Sequence, residues 1–202
     1  MRCNPSYGSR QDRVSSSLVK QGRLEVFVRY PYPTGKFLDE AAYYGDADKH
    51  QSVLLSQSAT AATIEHTLPG THYFTQLAYT DGQLKEKQIH HFAYRPSTAT
   101  DHFELSFAFA PKNDFKSAAL YTAIERESSS AWQQFWESGA GGDFAGRTDP
   151  RAHELERRVV LSQYLTKVQC GGSNPPQETG LTFNSWYGKP HTEMHCWHGV
   201  HY

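Results

Sequence analysis

The hydrophobic period of this chain changes once, near Pro111, and that change limits the folds open to it. Before Pro111 apolar residues tend to recur at every second position. After it they recur at every third or fourth. Period two places one residue set on each face of a strand, whereas a spacing of three and four places a stripe along a helix. Leu24, Val26, Val28 and Tyr30 share one face of a half-buried strand that Pro31 and Pro33 end. Ser52–Gln57 and the weakly alternating Ala61–His66 are candidate strands, and Pro69-Gly70 is a turn dipeptide. His72–Tyr79 is rich in aromatic and β-branched residues. Asp81-Gly82 after it predicts a two-residue hairpin, with a return strand from Gln83 to Tyr94. In His102–Ala110, the residues Phe103, Leu105, Ala108 and Ala110 break strict alternation, so a bulge or burial on both faces is expected. Residues 1–23 are polar and read as irregular.

Beyond Pro111, Asn113-Asp114 offers an N-cap for a helix over 115–137, and Gly139–Gly142 ends it. Asp149-Pro150 is the start signal of a second helix that runs to about Gln169, with Leu155, Val159, Ser162, Leu165 and Thr166 inward and Val160 and Leu161 as further candidates for that face. Cys170-Gly171-Gly172 stops it, and a last helical stretch is expected from Glu193. The fold class is therefore α+β. Residues 1–111 form an antiparallel β-sandwich part, 112–149 a linker helix and joint, and 150–202 a helical region.

Composition removes several functions. Twenty Lys and Arg against 21 Asp and Glu leave a formal charge of −1, without the basic surplus that nucleic acid or an anionic membrane surface requires. No stretch approaches the roughly 20 apolar residues of a membrane span. An aromatic content of 13% argues against a disordered chain. Cys3, Cys170 and Cys196 are too few and too scattered for a disulfide framework and are expected as free thiols. The start of the chain has a positive residue without an apolar run behind it and does not read as a secretory signal, so the sequence assigns no compartment.

Chemistry is concentrated at the other end. Four of the 11 histidines fall in the last 12 residues, together with Glu193 and Trp197. Between Gln177 and Tyr202 the bulk comes from side chains with an apolar body and a polar tip. Sugars suit such a wall. Trp186, Tyr187 or Trp197 can stack on the apolar face of a pyranose, while Asn184, Lys189, His191 and Glu193 bond its hydroxyls. The bland alternative makes the tryptophans core residues of a helix bundle. A metal reading uses His191, His195, His198 and His201 at helix-compatible spacings, but HExxH is absent and no cysteine pair stands at ligand spacing. Glu178 and Glu193 are the acids of the segment, and spacing alone makes neither a general acid.

Three stretches carry a resemblance. They are Glu156–Leu165 (ERRVVLSQYL), Pro175–Gly180 (PPQETG) and Trp186-Tyr187-Gly188-Lys189-Pro190-His191 continuing to Trp197-His198. With Gly22-Arg23-Leu24, Arg29–Gly35 and Asp48-Lys49-His50 upstream, they resemble bacterial six-hairpin glycosidase-like proteins related to glycoside hydrolase family 65, the acid trehalase and maltose phosphorylase group. The resemblance implies a β-sandwich, a linker helix and the first helices of an (α/α)6 barrel. It implies sugar contact for Trp186, Lys189, His191, Glu193, Trp197 and His198, an oligosaccharide or glycoside as partner, and no cofactor. Set against that pattern, the sandwich is expected to lack room for a second full sheet, the barrel to be incomplete, and the general acid to lie beyond Tyr202. The chain is thus expected to act as a fragment without turnover of its own. Phe183, Trp132, Phe135 and Trp136 would then lack their packing partners, and self-association through apolar surface is expected.

Overall fold

The computed structural model describes residues 8–34, 36, 43–115, 121–140, 142–172, 174–178 and 189–200. Among these it holds eight strands, all paired antiparallel, and four α-helices. The chain divides into two units, residues 1–32 with 43–128, and residues 33–42 with 129–202.

The first unit contains two sheets. The larger has the order β1 (Gly8–Ser15), β8 (His102–Ala110), β5 (Thr71–Tyr79), β4 (Ala61–Leu68) and β3 (Gln51–Gln57). The smaller has the order β2 (Val26–Arg29), β7 (His91–Pro96) and β6 (Gly82–Gln88). A second sheet does exist, three strands wide, contrary to the short sandwich expected. One apolar core lies between the sheets: Ala62, Ile64, Leu77, Tyr79, Phe103, Leu105 and Phe107 on one side, Leu84, Phe92 and Tyr94 on the other. The Tyr79 and Tyr94 rings meet at 4.8 Å, and Tyr94 meets Phe103 at 5.7 Å. Each such side chain contributes about 1.5–3 kcal/mol by leaving water. In β8 the inward row is Phe103, Leu105 and Phe107; the row ends there, with Phe109 exposed and Ala110 buried on the opposite face, and the register with β1 and β5 runs without a bulge.

Two expectations are corrected here. Residues 8–15 are not irregular, because β1 pairs with β8 along its whole length, from Gly8 opposite Phe109 to Ser15 opposite His102. A short helix α1 (Ser17–Lys20) follows, with the Ser16 hydroxyl accepting from the Leu18 N–H at 3.2 Å. Asp81-Gly82 is not a hairpin turn. It is the corner at which the chain leaves the larger sheet, and β6 pairs with β7 rather than with β5. The Tyr94 hydroxyl donates to the Asp81 carbonyl at 2.7 Å and bolts the corner. A Cβ on Gly82 would stand 2.6 Å from the Arg95 carbonyl oxygen and 2.6 Å from the Tyr94 ring, so the close approach requires glycine there. The long return strand is split by a turn whose His90 adopts φ +59°.

Helix α2 spans Tyr121–Phe135 and continues as a five-residue π turn to Ala140, where Gly139 at φ +106° breaks it. Asn113 and Asp114 lie outside helix, and residues 116–120, between them and Tyr121, lie outside the described residues. Glu104 of β8 accepts from the Tyr121 N–H at 3.2 Å and from Arg13 of β1 at 2.6 Å, and the Arg13 guanidinium lies over the Tyr121 ring.

In the second unit, Trp132 stacks on Tyr164 at 5.0 Å and meets Phe135 edge-on at 5.6 Å, so these rings do find partners. Helix α3 spans Ala152–Cys170. Asp149, three residues before Ala152, accepts from the Arg151 N–H at 2.8 Å. The covered stripe is Glu156, Val159, Val160, Gln163 and Thr166, whereas Leu155 and Leu165 are exposed. Val159, Val160, Ser162 and Thr166 of the expected face are covered, whereas its leucines, Leu155, Leu161 and Leu165, are not. Glu156 accepts from the Phe144 N–H at 2.9 Å, and that polar tie helps to choose the covered side over the leucines. Cys170 and Cys196 are free thiols. Among the described residues no helix is long and apolar enough to cross a membrane.

Candidate functional site

Helix α4 (Thr192–His198) is one and a half turns long and ends as Gly199 returns its N–H to the His195 carbonyl at 3.1 Å. His191 sits at its N-cap in extended conformation, which points the backbone away from the helix axis. The Glu178 N–H donates to the Lys189 carbonyl at 3.0 Å, and this link ties Glu178 to the residues that lead into the helix. The result is an imidazole between two carboxylates: His191 Nδ1 is 3.5 Å from Glu178 Oε2, and His191 Nε2 is 3.8 Å from Glu193 Oε2. Glu178 was legible in the sequence as an acid of the segment, but no spacing rule joined it to His191.

The other candidates spread out from this centre. Trp197 is 63% exposed, an indole face open to solvent. His198 meets His195 edge-on at 6.2 Å. The Lys189 ammonium donates to the Lys36 carbonyl at 3.1 Å, so it is engaged in holding a loop as well as exposed to a ligand. Trp186, Tyr187 and Asn184 lie outside the described residues. Chemically, the array can accept hydroxyl protons at both carboxylates and can donate or accept at the imidazole. Glu193 has a side chain 72% exposed, whereas carboxyl groups recruited as general acids are held in apolar surroundings. Among the described residues no group of three His, Cys, Asp or Glu is arranged to hold a metal ion.

A second histidine cluster, which the sequence reading missed, lies in the sandwich. The Ser52 hydroxyl is 2.8 Å from His66 Nδ1 and 3.0 Å from His90 Nδ1, and His90 Nε2 is 2.8 Å from the Ala47 carbonyl. The Ala47 bond needs a proton on His90 Nε2. In the tautomer with that N–H alone, His90 accepts from Ser52 at Nδ1 and His66 donates from its own Nδ1, because a hydroxyl has one proton to give. His50 stacks on His90 at 3.7 Å, and Tyr30 stacks on His66 at 4.8 Å. Burial pushes His66 down to about 4, helped by the neighbouring His50 and His90, and burial likewise lowers His50. Ser52 is locked between two rings beside a fully buried imidazole, which suits cross-linking of four segments and not attack on a substrate. The signal that could have found the cluster is His66 itself, which continues the inward row of Ala62 and Ile64 in β4.

No protein-family model matches the chain, and no curated protein matches it.

Proposed function

We propose that the chain serves a carbohydrate-active protein of the (α/α)6 glycoside hydrolase or phosphorylase type, and that the segment from Lys189 to His198 contributes its contacts to an oligosaccharide or glycoside. The observation that carries this reading is the Glu178–His191–Glu193 array on the same short segment as the open Trp197 indole. A pyranose needs an aromatic face for its CH groups and paired acceptors and donors for adjacent hydroxyls, and the segment offers both. Binding, not turnover, is the role assigned to this segment, since Glu193 is open to water.

Titration calorimetry of the full chain against a panel of di- and oligosaccharides tests it. Binding is expected to fall at least tenfold in Trp197→Ala and several-fold in Glu193→Gln, with no release of sugar from aryl glycosides or disaccharides, with or without phosphate. Absence of saccharide binding, or binding indifferent to both substitutions, overturns the reading. Turnover lost in Glu193→Gln would replace it with a catalytic one.

A further inference from the structure

The outer face of the three-stranded sheet carries a second arrangement, independent of the terminal segment. Antiparallel register puts Phe27, Ala93 and Lys85 in one row across it, and Arg95 and Gln83 in the next. Ala93 is small, so the central strand forms the floor of a groove of about 400 Å³, within the range of saccharide-sized sites. Phe27 stands at its side, 57% exposed, and Arg29 beyond it lies against the ring of Tyr44, itself 47% exposed.

The charge on this face is lopsided. Lys85, Lys87 and Arg95 line the groove with two carboxylates, Glu25 and Asp81, and two of the three cations share Glu25. Arg95 donates to Glu25 Oε1 from Nε at 2.9 Å and from Nη2 at 2.5 Å, and Lys87 approaches the same oxygen at 3.4 Å. Glu25 thus holds two cations in place through a single oxygen and keeps its own charge, its carboxyl drawn below the usual range by the Arg95 bond. Lys85 has no carboxylate partner among the described residues.

We infer that this groove binds an acidic oligosaccharide, its ring on Phe27 and its carboxylate or sulfate on Lys85, Lys87 and Arg95. Cations without enough counter-charge call for an anionic ligand. Phe27 and the acceptor oxygens of Glu25 and Gln83 call for one that also has an apolar face and hydroxyls. A single-stranded nucleic acid meets the first demand, but its phosphate at every step would face Glu25 and Asp81, and the chain's charge of −1 supplies no long-range pull.

The test titrates the full chain with a short oligogalacturonate, its methyl-esterified form, a sulfated oligosaccharide and an oligothymidylate. Acidic saccharide of either kind is expected to bind at least tenfold more tightly than the ester and the oligonucleotide, and to weaken as salt rises. Lys85→Gln is expected to lower that affinity about tenfold and Phe27→Ala by a similar factor. Lys85 supports no other group, so its variant keeps the test sound if substitutions at Arg95 disturb the sheet. Equal binding of the ester, tighter binding of the oligonucleotide, no binding at all, or affinity unchanged in Lys85→Gln overturns the inference. Affinity lost in Lys85→Gln but kept in Trp197→Ala assigns acidic saccharide to the groove, and the reverse assigns it to the terminal segment, so the two sites fail or stand separately.

Discussion

Two groups of histidines occupy this molecule in opposite ways. His50, His66 and His90 are drawn together inside the sandwich from a loop, a strand and a turn, and one serine hydroxyl joins two of the rings. His191, His195 and His198 lie within eight residues of one another on one short helix, with the exposed Trp197 among them. The local cluster is dense in sequence and open in space. The distributed one is sparse in sequence and closed. What a histidine does follows from its surroundings: His66 and His90, buried and joined through Ser52, serve as struts, whereas half-buried His191 stands between the carboxylates of Glu178 and Glu193 beside an open indole.

The largest test of this contrast is removal of the buried ring. His66→Ala is expected to cost about 3 kcal/mol of unfolding free energy, from the lost stack on Tyr30 and the abandoned Ser52 hydroxyl, as read by urea denaturation. A cost under about 1 kcal/mol would make the cluster incidental. Next comes acid. Above pH 6.5 His66 is neutral whether folded or not. Below it the unfolded chain takes up a proton that the folded chain refuses until about pH 4, so stability falls over that window by up to ~3 kcal/mol and then levels off. His50 acts in the same direction. Melting temperature against pH reads this slope, and His66→Gln should flatten it; an unchanged slope would assign the effect to other groups. The smallest effect belongs to the open segment. Trp197→Ala and Glu193→Gln should each shift stability by no more than ~0.5 kcal/mol, so that any loss of saccharide binding cannot be blamed on unfolding.

Weak alternation in Ala61–His66, the aromatic and β-branched residues of His72–Tyr79 and the apolar residues of His102–Ala110 made these strands of the larger sheet legible, and burial on both faces of β4 and β5 is why their alternation is imperfect. Strand β1 was illegible for the opposite reason: it is an edge strand of polar sequence, held by its pairing with β8 and by the Arg13–Glu104 ion pair. The Asp81-Gly82 signal was a true turn signal, but turn chemistry says nothing about which sheet the next strand joins. The Glu178–His191 approach and the Ser52 cluster depend on tertiary proximity, and neither has a local spacing to betray it. The charged face beside Phe27 was hidden likewise, since its rows combine β2, β6 and β7.

The pairing of β1 with β8 has a temporal consequence. Arg13 and Glu104 are 91 positions apart, so during translation at about 5–20 residues per second the first strand waits roughly 5–20 s before its neighbour has been made. A nascent segment left that long without a partner is a hazard if it is sticky. Ser-Arg-Gln-Asp-Arg is not, and the same polarity that concealed the strand from pattern reading keeps it harmless on the ribosome until the sheet can receive it.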